Sequence, residues 1–268
     1  MNKFKSALRY IFLIIVSLVS VFPLYWMAVS STNKSVDVIH GTLLPGSYFI
    51  ENWKALLAAQ NVSRAFINSF RNSICLTLVS VIVCSLAGYG FEIYHSKAKD
   101  TVMNILLLAM MIPFAAIMIP LFQMFSKMGL LNSTLGFLLP TISTPFLIML
   151  FRQSARSFPN EMIEAARIDG LNELQIFFRM FVPTMRSTYA AAITITFMAA
   201  WNNYLWPKVI MLSDTGTTMP MLVSNLIQGY VIDDGMLMLA VLITTLPTVI
   251  IFFILQKNFA EGITGTVR

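Results

Sequence analysis

The charged residues with the most distinctive spacing lie in EAARIDGLNELQIFFRMFVP, residues 164–183. Two alanines follow Glu164, and further charges stand at Arg167, Asp169 and Glu173. A carboxylate beside small side chains favours close approach to a second surface and ion pairing with it. Solubility alone would equally place charges on a helical hairpin that only joins two apolar segments. The residues by themselves therefore leave two interpretations open, a partner-binding surface and a plain connector.

The same region carries the signals of a helix, a turn and a second helix. Pro159 suits the first turn of a helix, and Gly170 suits the position just past its end. Asn172 followed by Gln175 forms a capping-box pattern for a second helix, which we expect Pro183 to end. The spacing predicts one apolar face on each helix, formed by Met162, Ala165 and Ala166 on the first and by Leu174, Phe177, Phe178 and Phe181 on the second.

The rest of the chain is too apolar for a soluble domain. Of its 268 residues 57% are hydrophobic and only 11% are charged, against about 25% charged in a typical soluble domain. A helix needs about 20 apolar residues to cross a bilayer. Six windows without Asp, Glu, Lys or Arg reach that length, and they predict a single all-α membrane domain of six transmembrane helices over 1–268: 10–33, 72–91, 101–126, 128–151, 187–207 and 235–256. We interpret the first window as an uncleaved span and 215–232 as a loop with a short helix.

The distribution of basic residues orients these spans. Twelve Lys and Arg residues fall on the side of the N-terminus and six on the other side, which predicts that both termini are cytoplasmic. The loop 152–186 lies on that side and holds nine charged residues, each of which would cost about 2.5–3.5 kcal/mol at the centre of a bilayer. We therefore expect this loop in the cytoplasm and the loops 34–69 and 207–234 outside.

Several functions require residues that this sequence lacks. There is no G-x-x-x-x-G-K-[ST] phosphate loop and no G-x-S-x-G nucleophile motif, and no Asp, Glu, Lys, Arg or His lies inside the six windows. His40 and His95 fall in loops on opposite sides, so we predict no metal site. The net charge of +6 reflects the loop asymmetry and gives no reason to propose nucleic acid. An intramembrane enzyme or a passive channel are the alternatives from other functional classes.

A polar cluster near the outer end of the fifth window is a candidate for the path of a solute. Trp201, Asn202, Asn203 and Tyr204 offer amides and aromatic rings, which suit the hydroxyls and the apolar face of a sugar. An interfacial aromatic belt with capping amides explains them as well. Pro113, which interrupts the third window, is a second candidate, although proline also serves packing and kinks. Further prolines interrupt the third, fourth and sixth windows at Pro120, Pro140, Pro145 and Pro247.

The 164–183 stretch resembles the signature loop of permease subunits of ATP-binding-cassette (ABC) importers, E-A-A, three residues, Gly, nine residues, I-x-L-P. The positions that match at this spacing are Glu164, Ala165, Ala166, Gly170 and Pro183, with Met180 and Val182 in place of Ile and Leu. MMIPFAAIMIPLFQMFSKMGLLNSTLGFLLP, FPNEMIEAARIDG and WNNYLWPKVIM are similar to the carbohydrate-uptake branch, and to the smaller permease of maltose-type systems in particular.

The resemblance implies a function for the hairpin and a set of partners. The hairpin would be a coupling helix docking into the ATPase, with the coupling residues Glu164, Ala165, Ala166, Asp169, Gly170 and Pro183. The chain would pair with a second permease, two ATP-binding subunits that hold ATP and Mg, and an extracellular or periplasmic sugar-binding protein. It would carry no cofactor, catalyse no reaction itself and lie among lipid in a bacterial or archaeal cytoplasmic (inner) membrane. An importer of another solute, such as a polyol or glycerol phosphate, is the alternative within the family.

Overall fold

The computed structural model describes the backbone of residues 2–228 and 232–264 and the side chains of residues 5–228 and 232–256. All regular secondary structure in these ranges is helical, with short 3₁₀ turns at Leu139–Thr141 and Asp214–Gly216 and a π-helical turn at Phe177–Phe181. The α-helices are α1 (Asn2–Ser30), α2 (Ser35–Ile39), α3 (Phe49–Ala59), α4 (Val62–Ile93), α5 (Lys97–Ala109), α6 (Phe114–Lys127), α7 (Thr134–Leu138), α8 (Pro145–Ala155), α9 (Asn160–Ile168), α10 (Glu173–Ile176), α11 (Val182–Thr184), α12 (Arg186–Trp201), α13 (Leu205–Ile210), α14 (Met219–Ile227) and α15 (Asp234–Thr264).

Three helices are long and apolar enough to cross a membrane, namely Lys5–Ser30, Val62–Ile93 and Asp234–Gln256. Two bent pairs raise the number of candidate spans to five, if each pair counts as one span. The first pair joins α5 to α6 at 98°, and the second joins Thr134–Thr141 to α8 at 54°. In the described part of the chain, five of the six predicted windows thus coincide with a candidate span. The polypeptide can be all-helical in lipid because a helix satisfies its own backbone hydrogen bonds.

Proline explains why the third and fourth windows are not straight helices. Pro113 caps α6 with an extended backbone, φ −60° and ψ 134°, and the residues before it form the 98° bend. Pro145 is the first residue of α8, where its missing N–H costs no helical hydrogen bond. Pro120 and Pro247 lie inside continuous helices, so their positions do not interrupt the spans.

The helix in the fifth window, α12, is shorter than the window itself. Helix α12 has 16 residues, which span about 24 Å at about 1.5 Å per residue. It ends at Trp201, and the chain turns through residues 202–204 into α13. The window 215–232 holds the 9-residue helix α14 among its described residues, as the prediction of a loop with a short helix requires.

The chain divides into two compact units. The first contains α1, α2, α3, α14, the residues of α4 up to Ala65 and those of α15 up to Pro247. Asn52 is buried here and donates to the carbonyls of Ser31 and Asn33 at 3.0 and 2.9 Å, which ties α3 to the C-terminal end of α1. The second contains α4 from Phe66, α5 to α13, and α15 from Thr248.

The core of the second unit lies where α4, α5, α8 and α12 meet. The buried residues of this cluster are Val81, Cys84, Met103, Leu147, Ile148, Phe151 and Ala192. Gly88 allows the closest approach in this region, because a Cβ at that position would lie 2.6 Å from Cβ of Phe151. The contact holds the C-terminal part of α4 directly against α8, the helix that leads into the 164–183 stretch.

Candidate functional site

The first half of the charged loop forms the predicted helix and turn. Helix α9 begins after Pro159 and ends at Ile168. Gly170 has φ +78°, in the left-handed region that favours glycine, as its position past the helix predicts. The N–H of Gly170 bonds to the carbonyl of Arg167 at 3.1 Å, and that of Leu171 to the carbonyl of Ala166 at 3.0 Å. These two bonds form a Schellman motif, which closes the helix and turns the chain sharply.

The second half begins as predicted but ends differently. The amide N–H of Gln175 donates to the Asn172 side chain and that of Asn172 to the Gln175 side chain, both at 2.9 Å, so the capping box is present. Helix α10 then widens into the π-turn, in which the N–H of Val182 bonds to the carbonyl of Phe177. Helical backbone continues through Pro183 to Thr184, so the prediction that Pro183 ends this helix is wrong. The π-turn before the proline redistributes the hydrogen bonds that its missing N–H would disrupt.

The hairpin is anchored by one buried face. The residues of this base cluster are Tyr89, Ala155, Phe158, Ile163, Ala166, Ile176, Phe177, Phe181 and Met185. The ring of Tyr89, on α4, lies 5.3 Å from that of Phe177 and 5.0 Å from that of Phe181, both edge-on. Phe158, just past α8, packs edge-on against Phe181 at 5.5 Å. The hairpin is therefore expected to move with the C-terminal ends of α4 and α8 unless this cluster is broken.

The composition of the buried face differs in part from the prediction. Phe177 and Phe181 are buried as expected, but Leu174 and Phe178 are 63% and 53% exposed. Ile176 is buried in their place. The expected face followed α-helical spacing, whereas the π-turn puts more residues in each turn and shifts the register. Of the three residues predicted for the apolar face of the first helix, only Ala166 is buried, whereas Met162 and Ala165 are exposed. Because Ala166 lies in the base cluster, it is not available to the docking surface on which the resemblance placed it.

The opposite side of α9 is exposed and mixes charge with apolar surface. We name as the outer face the exposed residues Glu161, Glu164, Ala165, Ile168 and Asp169. Ile168 is 86% exposed, an unusual position for a large aliphatic side chain beside charged residues. Sequence reasoning missed it, although its spacing of three and four from Ala165 and Glu164 places it on their side of the helix. The outer face has the composition of a contact surface.

An ion pair bridges the glycine turn. Arg167 Nε lies 2.8 Å from Glu173 Oε1, and both side chains are partly exposed. Arg167, followed by the nearby Tyr94 phenol, lowers the pKa of the Glu173 carboxyl below its ordinary value. The stabilisation from this pair is therefore present above the ordinary carboxyl pKa and is lost as the pH falls through the lowered value. At neutral pH the pair holds the two helices of the hairpin in register.

A second ion cluster joins the helices beneath the hairpin. Arg152 is buried, at 4% exposure, and its Nε lies 3.0 Å from Glu92 Oε2 at the end of α4. Its terminal nitrogen Nη2 lies 2.5 Å from Oδ1 of Asp100 in α5. Arg156, which is more exposed, pairs with Glu92 through its Nε at 3.2 Å. His95 completes the cluster through Asp100 at 2.9 Å. The sequence placed Arg152 in an aqueous loop, whereas it lies in α8 and links three helices.

The candidate path residues are largely enclosed or engaged in capping. Trp201 is fully buried, with its ring 5.6 Å from that of Phe66 and 5.8 Å from that of Phe197. In this conformation it offers no free face for stacking. Asn202 Nδ2 donates to the carbonyl of Met198 at 2.9 Å, which is a capping contact of α12.

The remaining path candidates lie close to α13 and to the bend between α5 and α6. Asn203 accepts the N–H of Trp206 at 3.4 Å, while Tyr204 is partly exposed. Pro113 is exposed, and the next residue, Phe114, packs edge-on against Trp206 at 5.8 Å. The structure therefore brings the bend to the beginning of α13 through an aromatic contact.

Comparison with known proteins places the chain among transport proteins. Residues 80–265 match the family described as binding-protein-dependent transport system inner membrane component. The chain is 41% identical over 267 residues to the lactose transport system permease protein LacG of Rhizobium radiobacter, covering 100% of this chain and 98% of that protein. It is 30% identical over 259 residues to the arabinooligosaccharides transport system permease protein AraQ of Bacillus subtilis (95% and 92% covered).

Two further comparisons extend this result. The sn-glycerol-3-phosphate transport system permease protein UgpE of Pectobacterium atrosepticum is 30% identical over 273 residues, covering 97% of this chain and 96% of that protein. Among solved structures, a chain of a bacterial ABC transporter involved in the import of the acidic polysaccharide alginate superposes with a TM-score of 0.84. It is 20% identical and covers 96% of this chain and 97% of that chain, which demonstrates a shared fold.

Proposed function

The chain belongs to the family of inner membrane components of binding-protein-dependent transport systems, and from this membership we propose that it is the permease subunit of an ATP-driven importer for a sugar or oligosaccharide. Two relatives named for sugars support the substrate class, one of them at 41% identity. A relative named for sn-glycerol-3-phosphate, at 30% identity, makes that solute the second candidate.

The observation that carries the proposal is the construction of the hairpin. Its base cluster is buried against α4 and α8, while its outer face presents Glu164, Ala165 and Ile168 to solvent. A connector with no partner has no need for an 86% exposed isoleucine on a rigid, capped helix. We therefore infer that the outer face docks on the ATPase, with Asp169 and Gly170 completing the end of the docking helix.

The proposed arrangement in the membrane has six spans with both termini in the cytoplasm. The three long helices and the two bent pairs supply five spans, and α12 with the turn that follows supplies the sixth. The hairpin then lies between the fourth and fifth spans on the cytoplasmic side, where its charges stay in water. The setting is a bacterial or archaeal cytoplasmic (inner) membrane.

The partners follow from the family. A second permease would complete the membrane-spanning pair, two ATP-binding subunits would bind ATP and Mg, and an extracellular or periplasmic binding protein would deliver the sugar. This chain would hold no cofactor of its own. Closure of the ATPase pair would displace the hairpin as a rigid body, and the base cluster and Arg152 would pass that displacement to α4, α5 and α8.

A solute path along α13 is part of the proposal. Asn202 and Tyr204 lie at the turn between α12 and α13 and are not buried, so their polar groups are the candidates for contact with sugar hydroxyls. Trp201 supports this turn by packing against Phe66 and Phe197 and is not free to stack on the solute. The bend at Pro113 would help to shape the solute path, because the adjacent Phe114 packs against Trp206 of α13.

Charge reversal on the outer face tests the docking role. Glu164→Lys is expected to lower co-purification of the ATPase and the substrate-stimulated rate of ATP hydrolysis in reconstituted complexes, because it removes the carboxylate that the signature places at the interface. The matched control is Glu51→Lys, the same charge reversal at an exposed carboxylate of α3 outside the hairpin, for which no loss of ATPase co-purification is expected. Membrane abundance is measured for both variants. Full ATPase association and full sugar uptake by Glu164→Lys would make the hairpin a passive connector.

A further inference from the structure

The segment after α1 folds back along that helix instead of leaving it. The Tyr25 hydroxyl donates to the carbonyl of Leu43 at 2.7 Å. The Asn33 side chain donates to the carbonyl of Leu44 at 3.1 Å. The N–H groups of residues 46 and 48 reach the hydroxyl and carbonyl oxygens of Thr32 at 2.9 and 2.8 Å. These bonds fix the loop beside the last turns of α1.

The position of Tyr25 along α1 sets the depth of this loop. Arg9 is the last basic residue before the apolar run, and about 20 residues from there cross the hydrocarbon, which brings its outer boundary close to Ser30. Tyr25 precedes Ser30 by five residues, or about 7 Å along the helix axis at about 1.5 Å per residue. The carbonyl of Leu43 therefore lies about one helical turn inside the outer boundary.

The side chains of the loop suit hydrocarbon rather than water. Residues 38–50 contain no Asp, Glu, Lys or Arg. Four of their aliphatic side chains are exposed, Ile39 and Leu44 at 72% and 73% and Leu43 and Ile50 to a smaller extent, whereas Val38 is buried. Such a concentration of exposed aliphatic groups on a short segment requires an apolar partner, because each buried aliphatic side chain contributes about 1.5–3 kcal/mol.

Several polar groups in the backbone of the loop are hydrogen-bonded, as a hydrocarbon environment requires. An unpaired N–H or C=O in hydrocarbon costs several kcal/mol, so irregular backbone enters lipid only where its polar groups are satisfied. The N–H of Thr42 bonds to the carbonyl of Asp37 at 3.0 Å, and the hydrogen bonds to Tyr25, Asn33 and Thr32 satisfy further groups. Pro45 has no N–H to satisfy.

We propose that the outer-leaflet anchor, residues 39–50, inserts its aliphatic side chains among the acyl chains of the outer leaflet beside α1. This inference rests on the proposed topology, in which α1 crosses the membrane outward. Lipid is favoured over a protein partner because the loop is registered alongside a membrane span, lacks Asp, Glu, Lys and Arg, and has several of its backbone groups paired. The anchor fixes the outer end of α1, and only the charged remainder of the outer loop, such as Lys54 of α3, faces water.

Site-directed spin labelling tests the anchor in the assembled complex in lipid nanodiscs. Cys75 and Cys84 are replaced by alanine, and a nitroxide is attached to Leu44→Cys or, as the control, to Lys54→Cys on the exposed side of α3. The measurement is collision with dissolved oxygen, which concentrates in lipid, and with a water-soluble nickel chelate. The label at position 44 is expected to collide several-fold more with oxygen than with the chelate, and the label at 54 to show the reverse.

Two results would overturn the anchor. Strong collision of the label at 44 with the nickel chelate would place the loop in water, and weak collision with both reagents would show that a protein partner covers it. A separate labelling experiment in intact cells tests the topology, with cysteine at Asp214 expected to react with an impermeant reagent from outside and cysteine at Glu161 expected to be shielded. Failure of that pattern would overturn the topology, whereas failure at position 44 alone would overturn only the anchor.

Discussion

Gly170 connects local backbone geometry to the proposed coupling function. Its φ is +78°, and a Cβ built there would meet no atom within 4 Å. Substitution at this position is therefore constrained by the backbone conformation and not by space. The two hydrogen bonds of the Schellman motif depend on that conformation, and they set the angle between α9 and the chain that follows.

Two substitutions at Gly170 separate backbone strain from the loss of glycine itself. Gly170→Val is expected to destabilise the turn by about 1–2 kcal/mol and to reduce ATPase association and sugar uptake, because a β-branched residue opposes a positive φ. Gly170→Asn is expected to retain most of both activities, since asparagine tolerates this region. The measurement is uptake and ATPase co-purification at equal membrane abundance. Equal behaviour of the two variants would contradict a role for the turn geometry.

The two arginines near the end of α8 form a second matched pair. Arg152→Met would leave the mostly buried Glu92 and the partly exposed Asp100 without the guanidinium between them, and we expect a loss of about 1.5–3 kcal/mol of stability, as for the loss of hydrogen bonds to a charged group. Arg156→Met is expected to cost about 1 kcal/mol or less, because that side chain is half exposed. Thermal unfolding of the purified complex compares them. A similar shift in both melting temperatures would show that burial of Arg152 is not what matters.

At the scale of elements, the hairpin is held by its base cluster. Phe177 is buried against Tyr89, while the adjacent Phe178 is 53% exposed. Phe177→Ala is expected to cost about 3–5 kcal/mol, as for a buried aromatic side chain, and to release the hairpin from α4. Phe178→Ala is expected to cost much less. Protease resistance of the 160–185 region in membranes reports the difference, and a hairpin that stays resistant in Phe177→Ala would contradict the anchoring.

Sequence patterns predicted the hairpin because its signals are local. The glycine turn at Gly170 and the capping box at Asn172 depend on residues within a few positions of each other, and both are present as expected. The π-turn, the exposure of Ile168 and the burial of Arg152 depend on packing against α4, α5 and α8. Hydrophobic spacing carries no information on that packing, so the apolar face of the second helix was only partly correct.

The sequence likewise predicted the positions of the spans but not their bends. Charge-free length identified the apolar windows, and proline marked the places of interruption. Neither feature distinguishes a proline that bends the chain by 98° at residue 113 from one that lies within a continuous helix at residue 120. The burial of Trp201 between two phenylalanine rings was equally hidden, because aromatic residues near a membrane interface suit a belt, a solute site and a core alike.

For the whole molecule, the distribution of charge agrees with a source of energy in a partner subunit, as the family implies. The six apolar windows contain no Asp, Glu, Lys, Arg or His that could carry a driving proton, and the sequence has no phosphate-binding loop. Charged side chains concentrate instead at the hairpin and at the ion cluster beneath it. A movement of the partner would displace α9 through its outer face, and the base cluster would transmit that displacement to α4 and α8.

The most direct test of this account is sugar uptake by proteoliposomes that contain the full complex. ATP is enclosed with the ATPase subunits, and the binding protein and labelled di- and oligosaccharides are supplied outside, with glycerol phosphate as the competing candidate. The account predicts accumulation of a sugar above its outside concentration only when ATP is enclosed, and loss of that accumulation with Gly170→Val. Equal sugar flux without ATP would identify a passive channel, and ATP-driven uptake of glycerol phosphate alone would contradict the assigned substrate class.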